Sequence, residues 1–122
     1  MNLTSLGAVL AFLAVALGAF GAHALKATLP PPASTAFETG VRYQFLHALA
    51  LLFVGTQGRA APRPGAALAG GLFVSGIVLF SGSLYALALT GASGWGAVTP
   101  VGGLCFLAGW LALAWAFAGR RR

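Results

Sequence analysis

The sequence predicts an all-α membrane protein, a bundle of four transmembrane helices that forms a single integral membrane domain over residues 1–122. The first observation is composition: 59% of the 122 residues are hydrophobic, 7% are charged, and the mean hydropathy is +0.91. A soluble domain carries about 25% charged residues, so this chain could not cover itself with polar groups in water. The second observation is that four apolar stretches follow one another, each close to the roughly 20 residues that a membrane span requires.

The first predicted helix covers about residues 3–25, which contain no charged side chain. A secretory signal peptide is the alternative, because Ala22-His23-Ala24 resembles a small-x-small cleavage site. No Lys or Arg precedes the apolar stretch, however, and the stretch is long enough to span a bilayer. Lys26 closes the predicted helix, and Pro30-Pro31-Pro32 prevents it from continuing.

The second predicted helix covers about residues 36–57. Thr35 and Glu38 have the T-x-x-E spacing of a capping box, which predicts a helix start at Ala36. Gly58 is the predicted cap at the other end. The first two turns carry charges, so we expect them to stand at the level of the lipid headgroups.

Two further helices complete the bundle, at about residues 66–89 and 100–118. Thr90-Gly91 is expected to end the third helix, and Thr99-Pro100 offers an N-cap followed by a proline suited to the first helical position. Gly119 is the predicted cap of the fourth helix, ahead of three terminal arginines.

The basic residues orient this predicted bundle. With four spans, Arg59, Arg63 and Arg120–Arg122 lie on one side, whereas Lys26 and Arg42 lie on the other. By the positive-inside rule, five cations against two predict that the N- and C-termini face the cytoplasm.

Polar side chains collect near one end of the predicted bundle, which we take as the outer end. Such groups within membrane-length helices are costly unless they are satisfied, so they mark a candidate site. A one-sided cluster fits a pocket that opens at the outer face and counts against a continuous channel within one subunit. The candidate ligand-binding residues are His23, Arg42, Tyr43, Gln44, His47, Ser81, Ser83, Tyr85 and Thr99.

Several members of this set have a structural and a functional interpretation. Glu38 and Arg42 are four residues apart, so they could form an interfacial ion pair, or Arg42 could serve an anionic ligand. His23 and His47 could ligate a haem iron, or each imidazole could hydrogen-bond to Tyr, Ser or backbone across the bundle. Two histidines without further ligands make a poor zinc or copper site, so we predict no metal and no cofactor.

Other classes of function find no support in the sequence. The seven basic residues do not form a basic face interleaved with aromatic residues, so nucleic-acid binding is not expected. No phosphate-binding GxxxxGK[ST] motif occurs, and the single acid is assigned to a helix cap, which leaves no Ser-His-acid set. Cys105 lies in an apolar segment and is interpreted as a small core residue. We therefore predict a protein that is not an enzyme.

Four blocks of sequence resemble a known family. They are GAFGAHALK at 18–26, VRYQFLHALALL at 41–52, LFSGSLYALALTG at 79–91 and TPVGGLCFLAGW at 99–110. Together they are similar to domain-of-unknown-function family 423, which is akin to the transmembrane protein 256 family. The resemblance implies a four-helix protein of the bacterial inner membrane, and it implies no activity and no catalytic residues.

The resulting functional hypothesis is a non-enzymatic membrane protein whose outer polar pocket binds a small molecule, a lipid headgroup or a partner protein, in a scaffold or accessory role. Two alternatives stay open: a small-solute or ion transporter that acts as an oligomer, and a haem-binding electron carrier that uses His23 and His47. Small residues at i, i+4 spacing, such as Ala14, Gly18 and Ala22, favour close helix packing within or between subunits. We expect the partners to be the lipid bilayer and a second copy of the chain or a larger complex.

Overall fold

The computed structural model describes residues 1–118 and contains four antiparallel helices. They are α1 (Leu3–Leu25), α2 (Pro31–Ala60), α3 (Pro64–Thr90) and α4 (Thr99–Phe117). A short 3-10 turn, Ser93–Ala97, joins α3 to α4. The expectations for Gly119 and the three terminal arginines fall outside the described residues.

Three of these helices are long and apolar enough to cross a membrane: α1, α3, and α4 together with the turn before it. The fold class is thus confirmed as all-helical, with four helices. The helix that does not reach this standard is α2, since polar and charged side chains interrupt its apolar run. Its 30 residues nevertheless extend about 45 Å at 1.5 Å per residue, more than the hydrocarbon thickness of a bilayer.

The predicted ends of α2 were wrong. The helix begins at Pro31, because proline is well suited to the first helical positions, where its missing N–H costs nothing. Thr35 lies inside the helix, where its carbonyl accepts the Thr39 hydroxyl at 3.0 Å, so Thr35 and Glu38 do not form a capping box at a helix start. Gly58 is also internal, and α2 ends at Ala60.

The other helix ends lie within about two residues of the prediction. In particular, α3 ends at Thr90, and Gly91 follows with a φ of 72°, the left-handed conformation that glycine adopts without strain. Two helices contain a π-helical turn that the sequence did not predict, at Gly21–Leu25 in α1 and at Ile77–Ser81 in α3. Such wide turns rotate the rest of a helix relative to its beginning.

The helix α2 packs closely against α1 and α3, and it reaches α4 through side chains such as His47. Its backbone approaches α1 so closely that a Cβ on Gly7 would lie 2.8 Å from the Ala48 carbonyl oxygen. Between α3 and α4, a Cβ on Gly102 would overlap the backbone of Phe80. The core consists of Leu51 and Phe73 with their apolar neighbours, whereas many large apolar side chains point outward, as expected for a surface that lipid covers.

Candidate functional site

Gln44 connects three helices through its side-chain amide. It is 3% exposed, its Nε2 donates to the Leu10 carbonyl of α1 at 2.8 Å, and its Oε1 accepts the Tyr85 hydroxyl of α3 at 2.7 Å. The Tyr85 ring packs on Phe37, with 5.1 Å between ring centroids. Each polar end of the amide therefore has a partner on a different helix, which removes the cost of burying it.

Two serines of α3 make further bonds to neighbouring helices. The fully buried Ser81 hydroxyl donates to the Gly40 carbonyl of α2 at 2.7 Å. Ser81 ends the π-helical turn, so the turn sets the direction of this bond. The Ser83 hydroxyl makes a short hydrogen bond with the Thr99 hydroxyl, which ties α3 to the start of α4.

His47 lies between α2 and α4 and uses both ring nitrogens. The Trp110 Nε1–H donates to its Nε2 at 3.0 Å, and its Nδ1 lies 2.7 Å from the Tyr43 carbonyl oxygen. Because an indole N–H can only donate and a carbonyl can only accept, the imidazole is neutral here and carries its proton on Nδ1. Its ring stacks on Phe106, with 3.6 Å between centroids and 9° between planes.

These bonds define a polar cluster within the membrane-length part of the bundle. All six members have hydrogen-bond partners on other helices: Gln44, His47, Ser81, Ser83, Tyr85 and Thr99. The cluster is a series of separate interhelical contacts and not one shared cavity. In a bilayer such bonds hold helices in register.

Among residues 1–118, the side chains of the remaining three sequence candidates make no hydrogen bond to another helix. His23 is exposed, and its Nδ1 lies 2.9 Å from the Ala19 carbonyl oxygen of its own helix. Arg42 is exposed beside an apolar groove between α1 and α2. Tyr43 is 37% exposed and packs on Phe80, with 4.8 Å between centroids.

The arrangement of the histidines bears on metal binding. Residues 1–118 contain no group of three or more His, Cys, Asp or Glu side chains that could hold a metal ion. The lone pair of His47 Nε2 accepts the Trp110 N–H. An iron ion could therefore bind to this nitrogen only if the hydrogen bond were broken.

A hollow on the outer surface of the bundle adjoins the polar cluster, and we call it the aromatic recess. Its volume is about 730 Å³. Its walls come from α2, α3 and α4 and include Tyr43, His47, Phe80, Gly103, Phe106 and Trp110. The hydrogen bonds of His47 and the stacking of Phe106 fix the floor, so the recess is formed before anything enters it.

Comparison with known proteins agrees with this architecture. Residues 17–103 match the family described as "Protein of unknown function (DUF423)". The chain belongs to this family. It is 47% identical over 107 residues to the UPF0382 membrane protein YwdK of Bacillus subtilis, with 87% of each chain covered.

Two further relatives belong to other bacteria. The chain is 46% identical over 118 residues to the membrane protein SERP0230 of Staphylococcus epidermidis, which covers 93% of this chain and 95% of that protein. It is 44% identical over 103 residues to the inner membrane protein YgdD of Escherichia coli K12, over 84% of this chain and 79% of that one. No solved structure matches the chain. The DUF423 chain is thus a membrane protein, as its sequence predicts.

Sequence reasoning did not identify Trp110 as the partner of His47. One signal was available: Trp95 and Trp115 lie near helix ends, where tryptophan is common, whereas Trp110 lies in the interior of α4. An indole N–H at that depth requires an acceptor, and His47 is the buried side chain that supplies one.

Proposed function

We propose that this DUF423 protein is a non-enzymatic protein of the bacterial inner membrane that binds a flat, mostly apolar small molecule in the aromatic recess. The observation that carries the proposal is the recess itself, a hollow of about 730 Å³ that is lined by aromatic rings and open at the surface of the bundle. Ligand sites are typically concave and apolar, with a few polar groups that orient the ligand.

The chemistry of the lining favours a planar ligand. Phe80 and Trp110, which are only partly buried, offer ring faces and edges on which a flat molecule can stack. Tyr43 lines the same recess and is 37% exposed, so its hydroxyl can donate a hydrogen bond to a carbonyl on the ligand. Because His47 and Trp110 already satisfy each other, binding does not require either to lose a partner.

The non-enzymatic part of the proposal rests on the positions of Glu38 and His47. Glu38, the single acid of the chain, is exposed on α2. The lone pair on His47 Nε2 is occupied, so the imidazole is not poised as a general base. This arrangement supports binding and not proton-transfer chemistry.

The membrane arrangement that goes with this function is four spans with both termini in the cytoplasm. The close packing of α2 against α1 and α3 supports a fourth span, since a helix packed along two membrane-length neighbours lies at their depth. The cellular location follows by analogy with YgdD, which is named an inner membrane protein.

Saturable quenching of Trp110 fluorescence tests the proposal. The protein would carry Trp95→Phe and Trp115→Phe, so that Trp110 alone reports, and would be placed in lipid nanodiscs. The probe is 2-methyl-1,4-naphthoquinone, a flat apolar molecule with two carbonyl acceptors. We expect quenching that saturates, whereas simple partition into lipid gives quenching that rises linearly.

Two matched variants complete the test. Gly103→Leu fills the recess, where the nearest side-chain atom to a Cβ is 3.8 Å away, and should convert saturation to linear quenching. Gly71→Leu adds the same side chain to the outer surface of α3, where nothing lies within 4 Å, and should leave saturation unchanged. Linear quenching in the unmodified recess, or saturation that survives Gly103→Leu, would contradict the proposal.

A further inference from the structure

The end of the bundle opposite Thr99 carries two arginines close together in the chain. Arg59 lies in the last turn of α2, and Arg63 directly precedes α3. We propose that this end binds the headgroup of an anionic phospholipid, with Arg59 and Arg63 donating hydrogen bonds to its phosphate. This site is separate from the aromatic recess and does not depend on the function proposed for it.

Arg63 is held in place by α4. Its Nη1 donates to the Ala116 carbonyl at 3.1 Å, and its guanidinium carbon lies 4.4 Å from the centroid of the Phe117 ring. Its Nε is buried and has no hydrogen-bond partner among residues 1–118. A guanidinium has five N–H donors, so this fixed side chain retains donors for an external acceptor.

Hollows lie on both sides of Arg63. One has a volume of about 640 Å³ and includes Trp115 and Ala116 in its lining. The other has a volume of about 600 Å³, and Arg59 and Arg63 both line it. Leu3 and Val54 line the second hollow too, so an apolar wall continues from the arginines toward the hydrocarbon region, where acyl chains would lie.

The charge balance of the chain indicates an external anion. Glu38 is the only acidic side chain in the protein, and it lies near the opposite end of α2. No acidic side chain can therefore neutralise Arg59 or Arg63 from within the chain. Guanidinium groups match the geometry of phosphate oxygens, and basic pockets between membrane helices at the cytoplasmic side suit anionic headgroups.

Native mass spectrometry of the full chain in detergent tests this proposal. The probes are dioleoylphosphatidylglycerol, which is anionic, and dioleoylphosphatidylcholine, which has no net charge. Each basic residue near a lipid surface contributes enough for about a fivefold change in affinity, so the double variant Arg59→Gln/Arg63→Gln should bind the anionic lipid about thirtyfold more weakly. Phosphatidylcholine carries the same phosphate beside a choline cation, so it should bind more weakly than the anionic lipid and lose less affinity in the double variant.

Arg59→Gln alone keeps the test valid if loss of Arg63 disturbs α4. Arg59 is exposed, so this variant should fold normally and bind the anionic lipid about fivefold more weakly. The matched control is Lys26→Gln, which removes one cation from the other end and should leave lipid affinity unchanged. Equal binding of the two lipids, an equal loss in the control, or complete displacement of the lipid by millimolar inorganic phosphate would each overturn the proposal.

Discussion

The bond between His47 and Trp110 makes a quantitative prediction about stability. Trp110→Phe keeps a ring in the wall of the aromatic recess but removes the N–H that donates to His47 Nε2 at 3.0 Å. His47 is 4% exposed, so its acceptor would be left buried without a partner. Unsatisfied buried polar groups cost about 1 to 3 kcal/mol in water-soluble proteins, and hydrogen bonds within membranes average about 0.6 kcal/mol. We therefore expect Trp110→Phe to lower the free energy of unfolding by about 1 to 2 kcal/mol.

A double-mutant cycle separates this bond from general packing. His47→Phe removes the acceptor and preserves a ring to stack on Phe106, so Trp110→Phe should cost less than about 0.5 kcal/mol in that background. The assay is reversible unfolding in mixed micelles with increasing SDS, followed by circular dichroism. Trp115→Phe is the control, since that residue is 65% exposed at the end of α4. If Trp110→Phe costs the same with His47 and with Phe at position 47, the hydrogen bond does not stabilise the bundle and the reasoning fails.

Two further predictions use matched pairs in the same unfolding assay. Tyr85→Phe should lower the free energy of unfolding by about 1 kcal/mol, because the Gln44 Oε1 loses its 2.7 Å hydrogen bond. The control Tyr43→Phe should change the free energy of unfolding by less than about 0.5 kcal/mol. Equal effects of the two variants would contradict the hydrogen bond between Tyr85 and Gln44. Gly102→Ala should lower the free energy of unfolding by at least about 2 kcal/mol, since the added Cβ would overlap the Phe80 backbone. Gly103→Ala should be tolerated, because a Cβ there meets nothing closer than 3.8 Å. A larger loss for Gly103→Ala than for Gly102→Ala would contradict the packing of α3 against α4.

Local signals in the sequence were sufficient for the helix count and for most helix ends. Gly91 is an example, because a glycine after an apolar run predicts the left-handed residue that ends α3. The start of α2 was not predicted, since two local signals competed there: the capping box at Thr35 and the prolines before it. The backbone follows Pro31, which satisfies the first helical position without any side-chain bond.

Six of the nine candidate side chains form the polar cluster, but the sequence did not predict their contacts. Depth along each helix was enough to select Gln44, Ser81 and Tyr85. It could not show that His23 turns outward, because the π-helical turn at Gly21–Leu25 and the rotation of each helix are determined by packing between helices. The pairing of His47 with Trp110 is a tertiary contact between residues 63 positions apart, which no local pattern encodes.

In the proposed arrangement α2 crosses the membrane with the other three helices, so that the polar cluster and the aromatic recess lie within the bilayer. The most direct test is the location of both termini, measured with a small epitope tag at either end and protease or antibody access in intact and in opened spheroplasts. Four spans place both tags on the same side of the membrane, and the positive-inside rule places that side in the cytoplasm, so both tags should become accessible only after the spheroplasts are opened. A tag at one end accessible in intact spheroplasts, with the other protected, would mean an odd number of spans and would contradict the account.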